Sequence, residues 1–326
     1  MNRRSILLAG SLIVGSVWTG SALAQSKASA PDRNPVEIGA VNWGRDLDAA
    51  FSDSERTGKP VLLLFQEVPG CAGCQKFGRE VLSHPVLVEA VETEFIPVVV
   101  FNNRSAGPNR QTLERFGERA WNYQVIRFLD SAGADIIPRK EGVWSVGGVV
   151  SRMVEALAQH ERPVPKYLET LHAVTDLDSH DQVAFAMHCF WTGEYRLGGI
   201  DGVIATEAGW LHGREVTLVC FDTEQLSVED LARQAAQVRC ADQVYTGDGR
   251  ALAGLRGGKL DRSYRTASNA DQKRQLMRWN AIAKVPGINP MQLTKINSLA
   301  PQSVPDALQW LSPRQRAWLV ENHQSR

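Results

Sequence analysis

Two thiols three residues apart are the first side chains in this sequence whose types and spacing could do chemistry. Cys71 and Cys74 belong to the stretch Val68-Pro-Gly-Cys-Ala-Gly-Cys74, directly after the apolar run 61–65. Where a buried strand passes into a helix, backbone N–H groups and the helix dipole favour a thiolate. The pair could be a redox couple, a structural disulfide or half of a metal site. The redox couple is favoured, because so short a loop stabilises little and no second cysteine pair completes a tetrahedral zinc site.

A lone cysteine farther along the chain, Cys189, marks a second candidate site. It is followed at once by the large rings of Phe190 and Trp191, at another predicted strand-to-helix junction. An isolated cysteine in such a place is commonly a small buried hydrophobe, with its aromatic neighbours part of the core. The alternative is a nucleophilic thiol beside an apolar seat for a substrate.

The five cysteines stand at positions 71, 74, 189, 220 and 240. An odd number cannot all pair within one chain. Cys220 alternates with the apolar Val216 and Leu218 along one face of a predicted strand, which favours a buried and inert thiol. Cys240 follows the last predicted helix of this region and could fold back on Cys189.

The elements that position the first pair alternate between helix and strand. Apolar periodicity predicts helices over 47–56, 75–91 (broken near Pro85) and 149–159, and strands over 61–65, 95–101 and 125–129. The stretch Arg162-Pro-Val-Pro165 then interrupts the pattern, so a domain boundary is predicted between there and about Asp181.

A second α/β segment follows this boundary. Its predicted elements are a strand with alternating apolar residues at 183, 185 and 187, a helix over 190–197, strands over 203–210 and 215–221, and a helix from about 226. This order predicts a small α+β sandwich. The remainder is predicted to be helical, because Asn289-Pro290 and Ser312-Pro313 are typical of helix starts. We assign these last helices no chemical role.

Composition excludes some classes of function. The chain has 326 residues, 43% of them hydrophobic, which is enough for a large core and more than one domain. Lys+Arg and Asp+Glu both number 36. This balance gives no electrostatic argument for binding nucleic acid or an anionic membrane surface.

The N-terminus has the pattern of a secretion signal. Arg3 and Arg4 form its charged end, 6–18 is apolar, and Ala22-Leu-Ala24 offers a small-residue cleavage pattern. The apolar run is shorter than the ~20 residues that span a bilayer, which disfavours a retained anchor. Export by the general or the twin-arginine route is open, and a periplasmic or secreted location is predicted. Cysteines in such an oxidising compartment form disulfides unless they are kept reduced.

The surroundings of the first pair resemble thioredoxin-like proteins from about Val41 to Gln159. More narrowly, Val68-Pro-Gly-Cys71 resembles a family named for Val-Pro-Gly-Sec-x-x-Thr, whose first redox position can hold selenocysteine. The resemblance implies that Cys71 is the attacking residue. Cys74 stands where that family has Thr, which implies a complete dithiol–disulfide cycle.

A second resemblance, from about Val183 to Leu231, is to the A-type peptide methionine sulfoxide reductases. The matching elements, in order, are Cys189-Phe-Trp191, Glu194, the run Asp201 to Trp210, Gly213-Arg-Glu-Val216 and Asp222. That family has Gly-Cys-Phe-Trp, a glycine-aromatic strand, and a glutamate that begins a strand ending in Tyr-Asp.

This resemblance implies roles for individual residues. Cys189 would be the nucleophile and Glu215 the proton donor, since a thiolate attacks a sulfoxide sulfur only if the departing oxygen is protonated. Phe190 and Trp191 would seat the S-methyl group. Attack leaves a sulfenic acid that condenses with a second thiol, and Cys240 is the candidate resolving cysteine.

The second segment also departs from the family pattern. His188 replaces the glycine before the nucleophile, and Trp210 occupies the place of an oxygen-binding tyrosine. The loop from Trp210 to Gly213 is shorter than in the family. Of the second family tyrosine, only Tyr245 is a candidate.

Together these features predict an exported thiol oxidoreductase with an α/β, thioredoxin-like part and an α+β, reductase-like part. Cys71 and Cys74 would supply electrons to Cys189, with oxidised methionine in proteins or peptides as substrate and a membrane-borne dithiol donor as partner. The alternative is a general disulfide reductase whose second domain is an inactive binding module. No nucleotide, metal or flavin motif is present, so no cofactor is predicted. The predicted divisions are a signal peptide over 1–24, a thioredoxin-like domain over 36–160, a reductase-like domain over 181–250 and a helical extension over 251–326.

Overall fold

The structure, a computed structural model, describes residues 34–104, 106–121, 124–277, 279 and 281–323. The predicted signal peptide lies outside these residues. Residues from Asn34 onward form one compact unit that contains two β-sheets. Within the described ranges, no helix is both long and apolar enough to cross a membrane.

The first sheet has four strands in the order β2-β1-β3-β4. The central strand β1 (Val61–Gln66) pairs in parallel with β2 (Ile96–Phe101) and antiparallel with β3 (Val125–Leu129), while β4 (Lys140–Glu141) closes the edge. All six residues of β1 are buried. A strand covered on both faces needs a continuous apolar sequence rather than an alternating one, and Val-Leu-Leu-Leu-Phe supplies it.

Helices cover both faces of this sheet. They are α1 (Leu47–Thr57), α2 (Ala72–Glu80), α3 (Pro85–Glu94), α4 (Gly107–Arg115), α5 (Val146–Gln159) and α6 (Lys166–Thr175). Residues of α1 and α4 contribute to one apolar cluster, and those of α2, α3, α5 and α6 to the other. The predicted break near Pro85 is the start of α3, where Pro85 occupies the first turn. Within the segment 162–181, where a domain boundary is predicted, residues 166–175 form α6, which packs against α3, α5 and α9.

The second sheet has six strands in the order β10-β6-β7-β5-β8-β9. These are β5 (His180–Ala186), β6 (Val203–Leu211), β7 (Arg214–Asp222), β8 (Gln243–Thr246), β9 (Arg256–Lys259) and β10 (Arg265–Thr266). Two helices, α7 (Phe190–Leu197) and α8 (Val228–Gln237), connect β5 to β6 and β7 to β8. The resulting β-α-β-β-α-β order is a split βαβ unit, extended by one strand at each edge.

The predicted helical extension is partly wrong, because its first part is strand. β9 pairs in parallel with β8, and β10 pairs antiparallel with β6. Short strands with the sequences Arg-Gly-Gly-Lys and Arg-Thr have neither an alternating nor a helical apolar pattern, so periodicity could not reveal them. The later part is helical: α9 (Pro290–Leu299), α10 (Val304–Leu308) and α11 (Pro313–His323).

A buried carboxylate joins the last helix to α3, which covers the first sheet. Glu89 of α3 is 1% exposed. It accepts a hydrogen bond from the hydroxyl of Ser312 and another, at 2.9 Å, from the backbone N–H of Arg314. These donors lie at the N-terminus of α11, where backbone N–H groups lack helical partners and negative charge is favourable.

We predict that Glu89→Ala lowers the free energy of unfolding by about 2 kcal/mol, because it leaves the Ser312 hydroxyl and the Arg314 N–H without their acceptor. Urea unfolding followed by circular dichroism measures the change. Glu80→Ala is the control. The exposed Glu80 carboxylate makes only a weak surface contact, 3.7 Å from the Lys76 ammonium. Its loss should change the free energy of unfolding by about 0.5 kcal/mol or less. Equal stability of the two variants would contradict this role of Glu89.

Candidate active site

Cys71 and Cys74 lie at the start of α2, where β1 passes into the helix. Cys71 is the N-cap residue and is exposed, while Cys74 lies in the first turn and is 3% exposed. Their Sγ atoms are 3.5 Å apart, a hydrogen-bonding distance. One thiol therefore faces solvent and the other lies directly behind it, as an attacking and a resolving thiol require.

The two thiols differ in acidity because their surroundings differ. Hydrogen bonds from the backbone N–H and the thiol of Cys74 lower the pKa of Cys71 below its ordinary value of 9.0. Burial raises the pKa of Cys74 to about 11. The negative charge of Glu67 acts against ionisation of both. Cys71 is thus the thiol that more readily forms a thiolate, as its place at a helix N-terminus favours.

Polar contacts from two segments hold the loop before Cys71. The carboxylate of Glu37 accepts a hydrogen bond from Gly70 N at 2.9 Å, and Asn103 donates to the carbonyl of Pro69 at 2.9 Å. Gly70 has no room for a side chain, because an added Cβ would lie 2.5 Å from the carbonyl oxygen of Glu67 and 2.7 Å from Cβ of Cys74. The glycine therefore lets the loop fold tightly against the buried cysteine.

Glu67 is the residue of this site that the sequence analysis missed. Its carboxylate and the two sulfur atoms lie within 4.8 Å of one another. Two thiolates and one carboxylate form a donor set that could hold a thiophilic cation such as Zn²⁺. No spacing rule points to Glu67, which is separated from Cys71 by the Val-Pro-Gly turn.

A second cluster lies at the start of α7, where Cys189 is the N-cap residue and is partly exposed. The ring centroid of Phe190 lies 5.9 Å from that of Trp191 and 5.7 Å from that of Trp210, both in edge-to-face contact. Trp210 is 43% exposed. The structure thus brings together the predicted aromatic residues next to Cys189.

Glu215 joins this cluster through sheet register. It lies directly opposite Trp210 in the β6–β7 pair, so both side chains are on the same face of the sheet. Its Oε2 accepts a hydrogen bond from the backbone N–H of Phe190 at 2.9 Å. Gly193 permits this close approach of α7 to β7, since a Cβ there would lie 2.0 Å from the hydroxyl of Thr217.

The other two cysteines of this region differ in position. Cys240 is buried, and its Sγ lies 3.8 Å from the carbonyl oxygen of Thr192 in the first turn of α7. Burial raises the pKa of Cys240. Cys220 is half-buried, and burial raises its pKa as well. Along β7, Cys220 lies on the face opposite to Glu215, because side chains alternate and the two are five residues apart.

Tyr245, predicted as a substrate-binding residue, is not part of the Cys189 cluster. It is 3% exposed and packs with Ala184, Ala186 and Val216. In β7, Val216 and Glu215 point to opposite faces of the sheet. Tyr245 therefore lies across the sheet from the aromatic rings that surround Cys189.

Three consecutive residues of the extension complete the second cluster. The Gln272 side chain pairs with the backbone of Ala208 at 3.0 and 2.8 Å. The Lys273 ammonium lies 2.8 Å from the carboxylate of Glu194, which is fully buried. Burial raises the pKa of Glu194, and the Lys273 charge acts in the opposite direction. The guanidinium of Arg274 lies over the ring of Trp191, 4.7 Å from its centroid.

A cavity of about 580 Å³ lies apart from both clusters and is lined by residues of α6, α9 and the β7–α8 connection. Among its lining residues is Lys295, whose ammonium donates to the carbonyl of Ile200 at 2.7 Å. Burial lowers the pKa of Lys295 to about 8. None of the predicted site residues lines this cavity.

Comparison with known proteins gives a match in the first part of the chain. Residues 42–130 match the family model described as thioredoxin-like. The chain is also similar to a solved structure titled DsbH oxidoreductase, at 17% identity over 44% of this chain and 95% of that chain, with a TM-score of 0.30. A TM-score this low does not indicate a shared fold. No curated protein matches the chain.

The N-terminal part of this protein is therefore a thioredoxin-like domain, followed by a second sheet. The family match and the unequal thiols of Cys71 and Cys74 fit thiol–disulfide chemistry.

We predict that iodoacetamide at neutral pH labels Cys71 much faster than Cys74, because only the thiolate reacts. The Cys71 rate should rise with pH and level off above its lowered pKa. Cys74→Ala should move that midpoint upward, since it removes the thiol donor, although the backbone N–H at position 74 remains. Peptide mass spectrometry distinguishes the labelled cysteines. Equal labelling of Cys71 and Cys74 would contradict the assignment.

Proposed function

We propose that this protein is a thiol–disulfide oxidoreductase in which Cys71 attacks and Cys74 resolves. The observation that carries the proposal is the contrast between an exposed, more acidic thiol and a buried, less acidic thiol 3.5 Å away. The thioredoxin-like match over residues 42–130 supports it. The resemblance of Val68-Pro-Gly-Cys71 to the Val-Pro-Gly-Sec-x-x-Thr family agrees with Cys71 as the attacking position.

The reaction takes place in two exchange steps. The Cys71 thiolate attacks a substrate disulfide, so that a mixed disulfide forms and one substrate thiolate leaves. Cys74 then loses its proton and attacks Sγ of Cys71, which releases the second substrate thiol. Two electrons pass to the substrate, and Cys71 and Cys74 become a disulfide. An external dithiol must reduce that disulfide, and in an exported protein a membrane-borne dithiol donor would do so.

We further propose that Cys189 reduces methionine (S)-sulfoxide. The observation in favour is the carboxylate of Glu215, held by Phe190 N at the start of α7, beside the rings of Phe190 and Trp210. The Cys189 thiolate attacks the sulfoxide sulfur while Glu215 gives a proton to the oxygen, so the thioether leaves and Cys189 becomes a sulfenic acid. Cys240 condenses with that sulfenic acid, releasing water and forming a disulfide. The Cys71/Cys74 dithiol then reduces this disulfide.

An inactive second domain is the alternative. Trp210 replaces an oxygen-binding tyrosine of the family, and Tyr245, the candidate for the second family tyrosine, lies across the sheet from the rings of Phe190 and Trp210. In that case the second sheet would be a binding module, and the thioredoxin-like domain would reduce disulfides independently. Catalysis that depends on Cys189 distinguishes the two proposals.

For the first proposal, we predict that Cys71→Ser abolishes reduction of insulin disulfides, because no attacking thiolate remains. Cys74→Ser should instead accumulate a mixed disulfide with the substrate, since the resolving thiol is missing. Insulin turbidity and non-reducing mass spectrometry measure these outcomes. Cys220→Ser is the matched control and should retain full activity. Activity that survives Cys71→Ser would exclude the proposal.

For the second proposal, we predict that the protein reduces N-acetyl-methionine (S)-sulfoxide with dithiothreitol and that Cys189→Ser stops the reaction. Glu215→Gln should lower kcat by about a hundredfold, the size typical of a lost general acid. Chromatography of the thioether product measures both. Turnover that is absent, or that persists in Cys189→Ser, would favour the binding module.

A further inference from the structure

The turn that carries Arg274 is fixed on both sides. The preceding residue, Lys273, bonds to Glu194 through its ammonium and, at 2.7 Å, through its backbone N–H. The following residue, Gln275, donates its backbone N–H to the side chain of Asn297 in α9 at 3.1 Å. Lys273 has a φ of +48°, a left-handed conformation that is uncommon outside glycine. These contacts place Arg274 over Trp191.

The guanidinium of Arg274 has no ion-pair or hydrogen-bond partner among the residues that the structure describes. The guanidinium instead lies over the ring of Trp191, with its Cζ atom 4.7 Å from the ring centroid. Arg274 itself is exposed. A guanidinium that stacks through its flat face still has its N–H edge free, and that edge suits a carboxylate.

The carboxylates near this cluster are already engaged. Glu194 pairs with Lys273, and Glu215 accepts from Phe190 N. Glu207 lies three residues before Trp210, on the opposite face of β6, and accepts hydrogen bonds from the hydroxyls of Tyr264 at 2.6 Å and Thr266 at 2.8 Å. An anion from outside the protein is therefore the natural partner for the free edge of Arg274.

We infer that Arg274 binds the α-carboxylate of the sulfoxide substrate, so that the site prefers methionine sulfoxide with a free carboxylate over a residue inside a peptide chain. This inference rests on the proposed reductase function of Cys189. Trp191 connects the two parts of the substrate site: its neighbour Phe190 contributes to the methyl seat, and its own ring holds Arg274. In methionine sulfoxide a short chain joins the sulfur to the α-carboxylate. A methyl seat at Phe190 and a carboxylate site on the next residue, Trp191, match this short separation.

The test compares two substrates that differ only in this group, N-acetyl-methionine (S)-sulfoxide and its amide. The wild-type protein should show a kcat/KM about tenfold or more higher for the acid, as expected for a hydrogen bond between charged groups. Arg274→Gln should remove that preference by lowering kcat/KM for the acid far more than kcat/KM for the amide. Arg262→Gln, an exposed arginine in the same extension, is the matched control and should keep the preference. A peptide ending in methionine sulfoxide shows whether a C-terminal residue is accepted as well as the free amino acid.

Two results would overturn the inference while the reductase function stands. One is equal kcat/KM for acid and amide in the wild-type protein. The other is an equal loss of both in Arg274→Gln, which would show that Arg274 only supports Trp191. If no turnover depends on Cys189, the proposed function fails, and calorimetric binding of the acid and the amide to Cys189→Ser becomes the test of Arg274. Tighter binding of the acid would support the role of Arg274. Equal binding, or no binding, would exclude it.

Discussion

Cys71 and Cys189 share one constraint, the passage from a buried strand into the first turn of a helix. Cys71 caps α2 after β1, and Cys189 caps α7 after β5. The first backbone N–H groups of a helix have no partner within the helix, so this position gathers donors around the side chain that occupies it. At Cys71 the backbone N–H of Cys74 takes this role and lowers the thiol pKa. At Cys189 the backbone N–H of Phe190 instead donates a hydrogen bond to the carboxylate of Glu215.

The same junction therefore provides two different environments. In the first sheet the helix N-terminus acts directly on sulfur, and the second thiol lies in the same turn. In the second sheet it holds the carboxylate of Glu215, and the rings of Phe190, Trp191 and Trp210 pack together. The ion pair between the fully buried Glu194 and the partly exposed Lys273 then attaches the extension to α7. Such a pair is weak evidence for stability, because desolvation of the charges offsets their attraction.

Much of the fold could be predicted from the sequence, because continuous apolar runs and proline positions are local signals. Ile96–Phe101 and Val125–Leu129 are strands within a residue of the predicted bounds, and Phe190–Leu197 is the predicted helix. The predicted resemblance to thioredoxin-like proteins is confirmed over residues 42–130. The side of the sheet on which Tyr245 lies could not be predicted, since a shift of one residue in strand register moves a side chain to the other face. Arg274 and Glu67 could not be predicted either, because their importance comes from contacts that no local pattern encodes.

The capping of α11 by Glu89 has a consequence for how the chain folds during synthesis. Ser312 lies 223 positions after Glu89, so a ribosome delivers the donors long after α3 has emerged. Burial of the Glu89 carboxylate is therefore a long-range event: a chain that lacks α11 leaves this carboxylate without the Ser312 and Arg314 donors.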